Sequence, residues 1–313
     1  MVRSALFANQ QPGGVLTIQA MEENPGNVLF VSSTHVAAQN ALGGGQNPDK
    51  PFATLAYVMA NASSLTPALA AGDTVYVMPG HAETIAVAAG IACATAGVRI
   101  IGLGQGSAIP LFTFSATAST WTVTAAGVEI KNIRVTSSVN ELVKMFSSSA
   151  ADLTLDHVDY IDPGSAKETL QFLLTTSSSD RVEVKNCRHN ATTAGATAQA
   201  WIRLIGCDSP RIHDNLLTLT MSNNAASVSI GGDASVRSFM VYDNLIVQLG
   251  GTTQVSGILF ADGATGLASK NGVAVGATAL TLNVDVGNAG YAVENYALNT
   301  PDKSGIIIPG VDT

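Results

Sequence analysis

Val182-Glu183-Val184-Lys185-Asn186-Cys187-Arg188 is followed by Arg211-Ile212-His213-Asp214-Asn215-Leu216-Leu217, and then by Met240-Val241-Tyr242-Asp243-Asn244-Leu245-Ile246. Each is a short run of alternating apolar residues closed by a charged residue and Asn. Working backward, the frame recurs as Val128-Glu129-Ile130-Lys131-Asn132-Ile133-Arg134-Val135 and as Leu153-Thr154-Leu155-Asp156-His157-Val158-Asp159, where His157 takes the Asn place. Working forward, a weaker copy is Leu267-Ala268-Ser269-Lys270-Asn271-Gly272-Val273. The marked residues Asn132, His157, Asn186, Asn215, Asn244 and Asn271 are therefore 25, 29, 29, 29 and 27 positions apart. Val75–Pro79 and Val98–Leu103 continue the pattern loosely toward the N-terminus.

A period of this size decides the architecture. The Leu frame of leucine-rich repeats is absent, and so is the 3.6 periodicity of helical repeats. Each period instead holds two or three runs of alternating apolar residues separated by Ser, Gly, Asn and Asp. Between Asn186 and Asn215, for example, stand Ala200–Ile205 and then the turn Gly206-Cys207-Asp208-Ser209-Pro210. Short strands at turn-separated intervals predict an all-β chain, a right-handed single-stranded parallel β-helix. Pro51, with Phe52, Leu55, Ala56 and Met59 on one face, predicts a short capping helix at about 51–62. Such a helix covers the first coil's open edge, which would otherwise template aggregation.

The Asn positions have a physical reason. Asn tolerates φ > 0 at a tight turn, and coils stacked ~4.8 Å apart bring successive amides within reach of one another. A structural ladder of Asn132, His157, Asn186, Asn215, Asn244 and Asn271 is expected. The residue before it runs Lys131, Asp156, Lys185, Asp214, Asp243, Lys270, and the residue two after it begins Arg134, Asp159, Arg188. In register, these are stacked charges that penalise slippage.

The ends lack the repeat. Residues 1–25 are polar and predict an N-terminal arm, residues 26–274 the β-helix, and residues 275–313 a C-terminal β segment and arm, with a strand over Ala279–Val284. Leu6, Phe7, Val15 and Leu16 are the apolar residues with which the first arm would anchor the protein to a partner.

Composition narrows function. The chain of 313 residues is 46% hydrophobic but only 12% charged, with a net charge of −8. An acidic, weakly charged surface argues against nucleic acid, which demands a basic face. No run approaches a membrane span, and the first dozen residues lack the apolar core of a secretory signal. Cys93, Cys187 and Cys207 are too far apart for a disulfide framework or zinc site, and His35, His81, His157, His189 and His213 show no metal-ligand spacing. No cofactor or metal is expected.

Asn47-Pro48-Asp49-Lys50-Pro51-Phe52-Ala53-Thr54-Leu55, followed by Gly72-Asp73-Thr74-Val75-Tyr76-Val77-Met78-Pro79-Gly80-His81, resembles the opening of pectin-lyase-like β-helix proteins. With Gly97–Gly104 and Phe112-Thr113-Phe114, the stretch is most similar to virion structural proteins of tailed bacteriophages. The resemblance implies a homotrimer made in the host cytoplasm and placed on the virion.

Candidate chemistry is sparse. Glycoside hydrolysis needs two carboxylates flanking a sugar. The candidates are Asp152, Asp156, Asp159 and Asp162, and the stacked Asp214 and Asp243. The first group alternates with Lys131, Arg134, Lys185 and Arg188, which favours ladder charge. Leu155-Asp156-His157 is similar to an element of pectate lyases, whose flanking Trp and Arg motifs are absent. Aromatics are only 5% of the chain, few for a sugar-cutting groove. The expectation is a structural protein and not an enzyme, decorating or cementing a phage capsid on its outer surface with the major capsid protein as partner. The alternative is a tail fibre or tailspike that binds, and cuts, host surface polysaccharide.

Overall fold

The computed structural model describes residues 26–161, 163–164, 167, 169–190, 200–220, 228–249, 256–275, 283–298 and 305–307. The arm residues Leu6, Phe7, Val15 and Leu16, the candidate Asp162 and, within the segment 275–313, residues 276–282, 299–304 and 308–313 lie outside these. Nearly everything described is β structure, wound as a parallel solenoid of about seven turns.

Alternation explains the coil. In strand Glu129–Ser137, Ile130, Ile133 and Val135 are buried while the residues between them are half-exposed. The next coil's strand Thr154–Ile161 lies parallel in register, with Leu155 beside Ile130 and Val158 beside Ile133. Both strands run through a corner without interruption, so the hydrogen-bond ladders of two faces merge, among the described residues, into one 18-stranded sheet bent along its length. An eight-stranded sheet forms the remaining face, from Ile91–Cys93 to Val284–Asp285. The core lies between.

In the N-terminal coils that core is aromatic. Phe112, Trp121, Phe146, Phe172 and Trp201 form a continuous run, with successive ring centroids 5.1, 5.6, 5.2 and 5.0 Å apart. All five are buried. The few aromatics are thus spent inside, where such pairs add to area burial.

The capping helix covers Leu55–Ala60, shorter than the sequence suggests. Thr54 is its N-cap in an extended conformation, and its hydroxyl accepts from Tyr57 N at 3.2 Å. Phe52 is not helical. Its N–H donates to Phe30 O, and its ring is fully buried beside the first strand, Val28–Val31. Leu55, Val58 and Met59 form the buried face. The Glu83 carboxylate, from the strand Ala82–Ile85, accepts from Leu55 N at 2.7 Å and Ala56 N at 2.9 Å. His81 braces it, with Nε2 3.0 Å from Glu83 Oε2 and Nδ1 accepting from Ser33 N at 2.9 Å. At the other end, strand Gly305–Ile307 pairs antiparallel with Asn295–Leu298.

Candidate functional site

The bent corner organises the surface. Lys185 pairs with His213, and Arg188 with Leu216, so Asn186 stands beside Asp214 and Cys187 beside Asn215. The expected single Asn column is therefore two columns, one residue apart.

The outer column is a file of left-handed residues: Asn132, His157, Asn186, Asp214, Asp243, Lys270 and Glu294, with φ between +53° and +57°. Only Gly, and to a lesser degree Asn and Asp, adopt this conformation readily. The inner column holds Ile133, Val158 and Cys187 in the N-terminal coils and Asn215, Asn244, Asn271 and Asn295 in the C-terminal coils, all buried. There the amides form the true ladder. Asn215 Oδ1 accepts from Cys187 N at 2.9 Å, while its Nδ2 donates to Val184 O at 3.0 Å and Asn244 Oδ1 at 2.9 Å. Asn244 repeats this toward Asn271, and Asn271 toward Asn295. Cys187 imitates an amide one coil earlier, since Val158 N donates to its Sγ and the thiol faces Leu155 O at 3.7 Å. Burial raises the Cys187 thiol pKa far beyond its ordinary range, so it stays a neutral donor.

Asn295 was not among the expected ladder residues, yet Glu294-Asn295 repeats the charged-residue-then-Asn signal of Asp214-Asn215, Asp243-Asn244 and Lys270-Asn271. Asn132, His157 and Asn186 are corner residues instead. Asn132 Nδ2 donates to Gly102 O at 2.7 Å, and Asn186 Nδ2 to Asp156 Oδ1 at 2.9 Å.

The charge files shift accordingly. Lys131, Asp156, Lys185 and His213 share one file, whereas Asp214, Asp243 and Lys270 belong to the corner. Asp156 is buried and fully engaged, at 2.8 Å from Lys131 Nζ and 2.6 Å from His157 Nδ1. Burial, the largest single influence, pushes its carboxyl up, but the bonds from Lys131, Asn186 and His157 together outweigh it and leave the pKa lowered. Asp152 is committed to a bidentate pair with Arg181 at 2.6 and 2.7 Å. Asp214 Oδ2 lies 2.7 Å from His213 Nδ1.

Asp159 differs from these. It is half-buried and in register with Arg134 on one side and Arg188 on the other. Among the described residues neither arginine comes within ion-pair distance of it. Burial raises its carboxyl pKa, against the pull of Arg188, His157 and Arg134. Arg134 Nη2 is held instead by the carbonyls of Ser107 and Ile109, at 2.9 and 3.3 Å.

These outward residues line a groove along the corner. One concavity, of about 390 Å³, is bounded by Asn132, His157, Asp159, Asn186, Arg188 and Asp214. The next, of about 550 Å³, is bounded by Arg134, Asp159, Tyr160, Arg188 and Asn190. They share Ile109, Asp159 and Arg188. Beneath the second, Tyr160 stacks on His189 at 4.1 Å. Beyond Arg188 the same file becomes apolar, as Leu216, Leu245 and, past Gly272, the exposed Tyr296. Among the described residues no cluster has a metal-ligand composition.

These features define a parallel β-helix. No family model matches the chain, and no curated protein matches it. Among solved structures it is similar to the GH136 lacto-N-biosidase from Eubacterium ramulus, at 11% identity and a TM-score of 0.39, over 88% of this chain and 68% of that one. It is also similar to a rhamnogalacturonan lyase, at 12% identity and a TM-score of 0.38, over 90% of each chain. These likenesses are of fold alone. They do correct one expectation: both similar structures are named as enzymes, so the sequence reading of a chain that is not an enzyme is not retained.

Proposed function

We propose that the chain binds a surface polysaccharide along the corner groove, as part of a tail fibre or tailspike of a tailed phage. The observation that carries this reading is the pair of contiguous concavities that follow the solenoid axis. Their walls combine outward amides (Asn132, Asn186), an imidazole (His157), two guanidinium groups and carboxylates, and the file runs on into exposed Leu216 and Leu245. Sugars present hydroxyls at their edges and C–H groups on their faces, and a groove with a polar wall and an apolar continuation matches both. A coil is ~4.8 Å tall, close to the length of one sugar, so a polymer laid along the axis meets equivalent positions at successive units. The virion placement is supported by the sequence resemblance of residues 47–55 and 72–81 taken together with 97–104 and 112–114.

The test is binding of purified bacterial surface polysaccharides to the full chain, measured by affinity electrophoresis. His157→Ala combined with Asn186→Ala is expected to reduce retention about tenfold or more at a temperature where the double variant, weakened by its lost bonds to Asp156, is still folded. Retention unchanged in the double variant overturns the groove as the binding site.

A second reading, decoration of the capsid shell by a homotrimer, draws on a different observation. Met240, Tyr291 and Val293 are exposed on the C-terminal coils before the corner, an apolar patch of the kind protein partners cover. Copy number per virion separates the two: hundreds mark a shell protein, a few to tens a tail part.

A further inference from the structure

Resting on the polysaccharide reading above, we propose that the groove selects a polymer with an anionic group on every second sugar, and that the unit spacing is set by Arg134, Asp159 and Arg188. The three occupy consecutive coils in one file. Adjacent parallel strands are ~4.8 Å apart, so the backbones carrying the two arginines are about 9.6 Å apart. That is the length of two sugars laid along the axis.

None of the three charges is neutralised by another. Asp159 forms no ion pair with either arginine, and the side chain of Arg188 is exposed with no hydrogen bond to a described residue. Arg134 is tethered through Nη2 to two uncharged carbonyls, Ser107 O and Ile109 O, which fix the guanidinium without cancelling its charge. All three line the same concavity. A row of positive, negative and positive groups at coil spacing is complementary to a row of anion, neutral sugar and anion. Each guanidinium meets a carboxylate or sulfate with charge-assisted hydrogen bonds. Asp159 repels an anion on the intervening sugar and accepts a hydroxyl or amide N–H from it. A polymer charged on every sugar places one anion against Asp159, and a neutral polymer leaves both arginines unanswered.

The experiment is calorimetric titration of the full chain with three polymers of matched length: hyaluronan, with a carboxylate on alternate sugars; polygalacturonate, with one on every sugar; and dextran, with none. Hyaluronan is expected to bind about tenfold tighter than either of the others. Arg188→Gln should abolish that advantage over dextran, and Arg134→Gln should do the same. Because Arg134 also holds the 107–109 turn, Arg188→Gln is the decisive variant. Asp159→Asn should remove the discrimination against polygalacturonate specifically. Equal binding of hyaluronan and polygalacturonate, or discrimination that survives Asp159→Asn, overturns the inference. If all three bind alike and His157→Ala with Asn186→Ala still abolishes binding, the groove stands and the charge spacing falls. If none of them nor any surface polysaccharide binds, the polysaccharide reading falls and the spacing with it.

Discussion

The two halves of the corner solve one problem by opposite means. Coils must stack without slipping, and the backbone at the bend must be satisfied. In the N-terminal half the inner file is apolar (Ile133, Val158), and register is held outside it by Lys131, Asp156, His157 and Asn186. In the C-terminal half the inner file is the amide ladder Asn215 to Asn295, and the flanking file has become Tyr242 and Ser269. Cys187 lies at the changeover, chemically between the two. One half depends on ionised groups and the other does not, which separates their responses to substitution and to acid.

The largest expected effect is in the ladder. Asn244→Leu strands Asn215 N and takes the amide donor from Ile212 O and from Asn271 Oδ1, which keeps only the backbone N–H of residue 244, at a cost of roughly 3 kcal/mol. Ile133→Val, in the same file of the other half, should cost about 1 kcal/mol. Urea melts of both variants check this, and equal losses would break the comparison. Next comes Asp156→Ala, which leaves Lys131, His157 and Asn186 without their shared acceptor, for about 2 kcal/mol.

That second substitution carries a pH signature. The folded-state pKa of Asp156 is lowered, so its contribution is present above the unfolded value of about 3.9 and is lost as pH falls through the folded value. The wild-type advantage over Asp156→Ala should disappear in acid. Asp159 works in the other sense. Its raised pKa means that protonation favours the fold, so Asp159→Asn should stabilise at neutral pH and by less in acid. Melting curves across pH 2–8, a range chosen around the ordinary carboxylate region, would show the two differences converging. An advantage of Asp156 that persists in acid would refute an ionic register in this half.

Smaller effects sharpen the boundary. Cys187→Asn offers Val158 N and Leu155 O an amide in place of a thiol and extends the ladder by one coil. A gain of up to about 1 kcal/mol is expected by denaturant titration; a loss would show that the N-terminal packing rejects an amide. Least of all, Lys270→Gly, at a φ of +57°, should stay within about 1 kcal/mol of wild type, because relief of backbone strain offsets the lost rigidity of the unfolded chain.

The repeat was legible because alternation and Asn recur together, and the parallel coil follows from that. The register of the Asn residues was not. Asn answers two demands, tolerance of the left-handed corner and supply of a buried amide. Asn132 and Asn186 meet the first, and Asn215, Asn244 and Asn271 the second. The Asn186–Asn215 step of 29 conceals a structural step of 28, from Asn186 to Asp214. The helix was visible through Pro51 and the apolar face of Leu55, Ala56 and Met59, but its start was misplaced because Phe52 is drawn into the first coil. Glu83 and His81, which hold the helix, come from a strand and the residue preceding it, distant in sequence, and carry no local signal. The individual groove residues were visible as charges, but their convergence into one channel depends on the outward direction of two files at the bend.

The left-handed file also sets what this surface can become. At a positive φ, β-branched residues are strongly disfavoured, and aromatic residues are poorly accommodated. The wall formed by Asn132, His157, Asn186, Asp214, Asp243, Lys270 and Glu294 therefore has a restricted repertoire, mostly small or flexible polar side chains. The neighbouring file, with ordinary strand backbone, has no such restriction and already ranges from Arg134 through Asp159 and Leu216 to Tyr296. A lineage that changed its ligand would keep the first wall nearly constant and rewrite the second. Variation among descendants should collect at positions 134, 159, 188, 216, 245, 272 and 296, as wards of a lock are recut while the keyway stays the same.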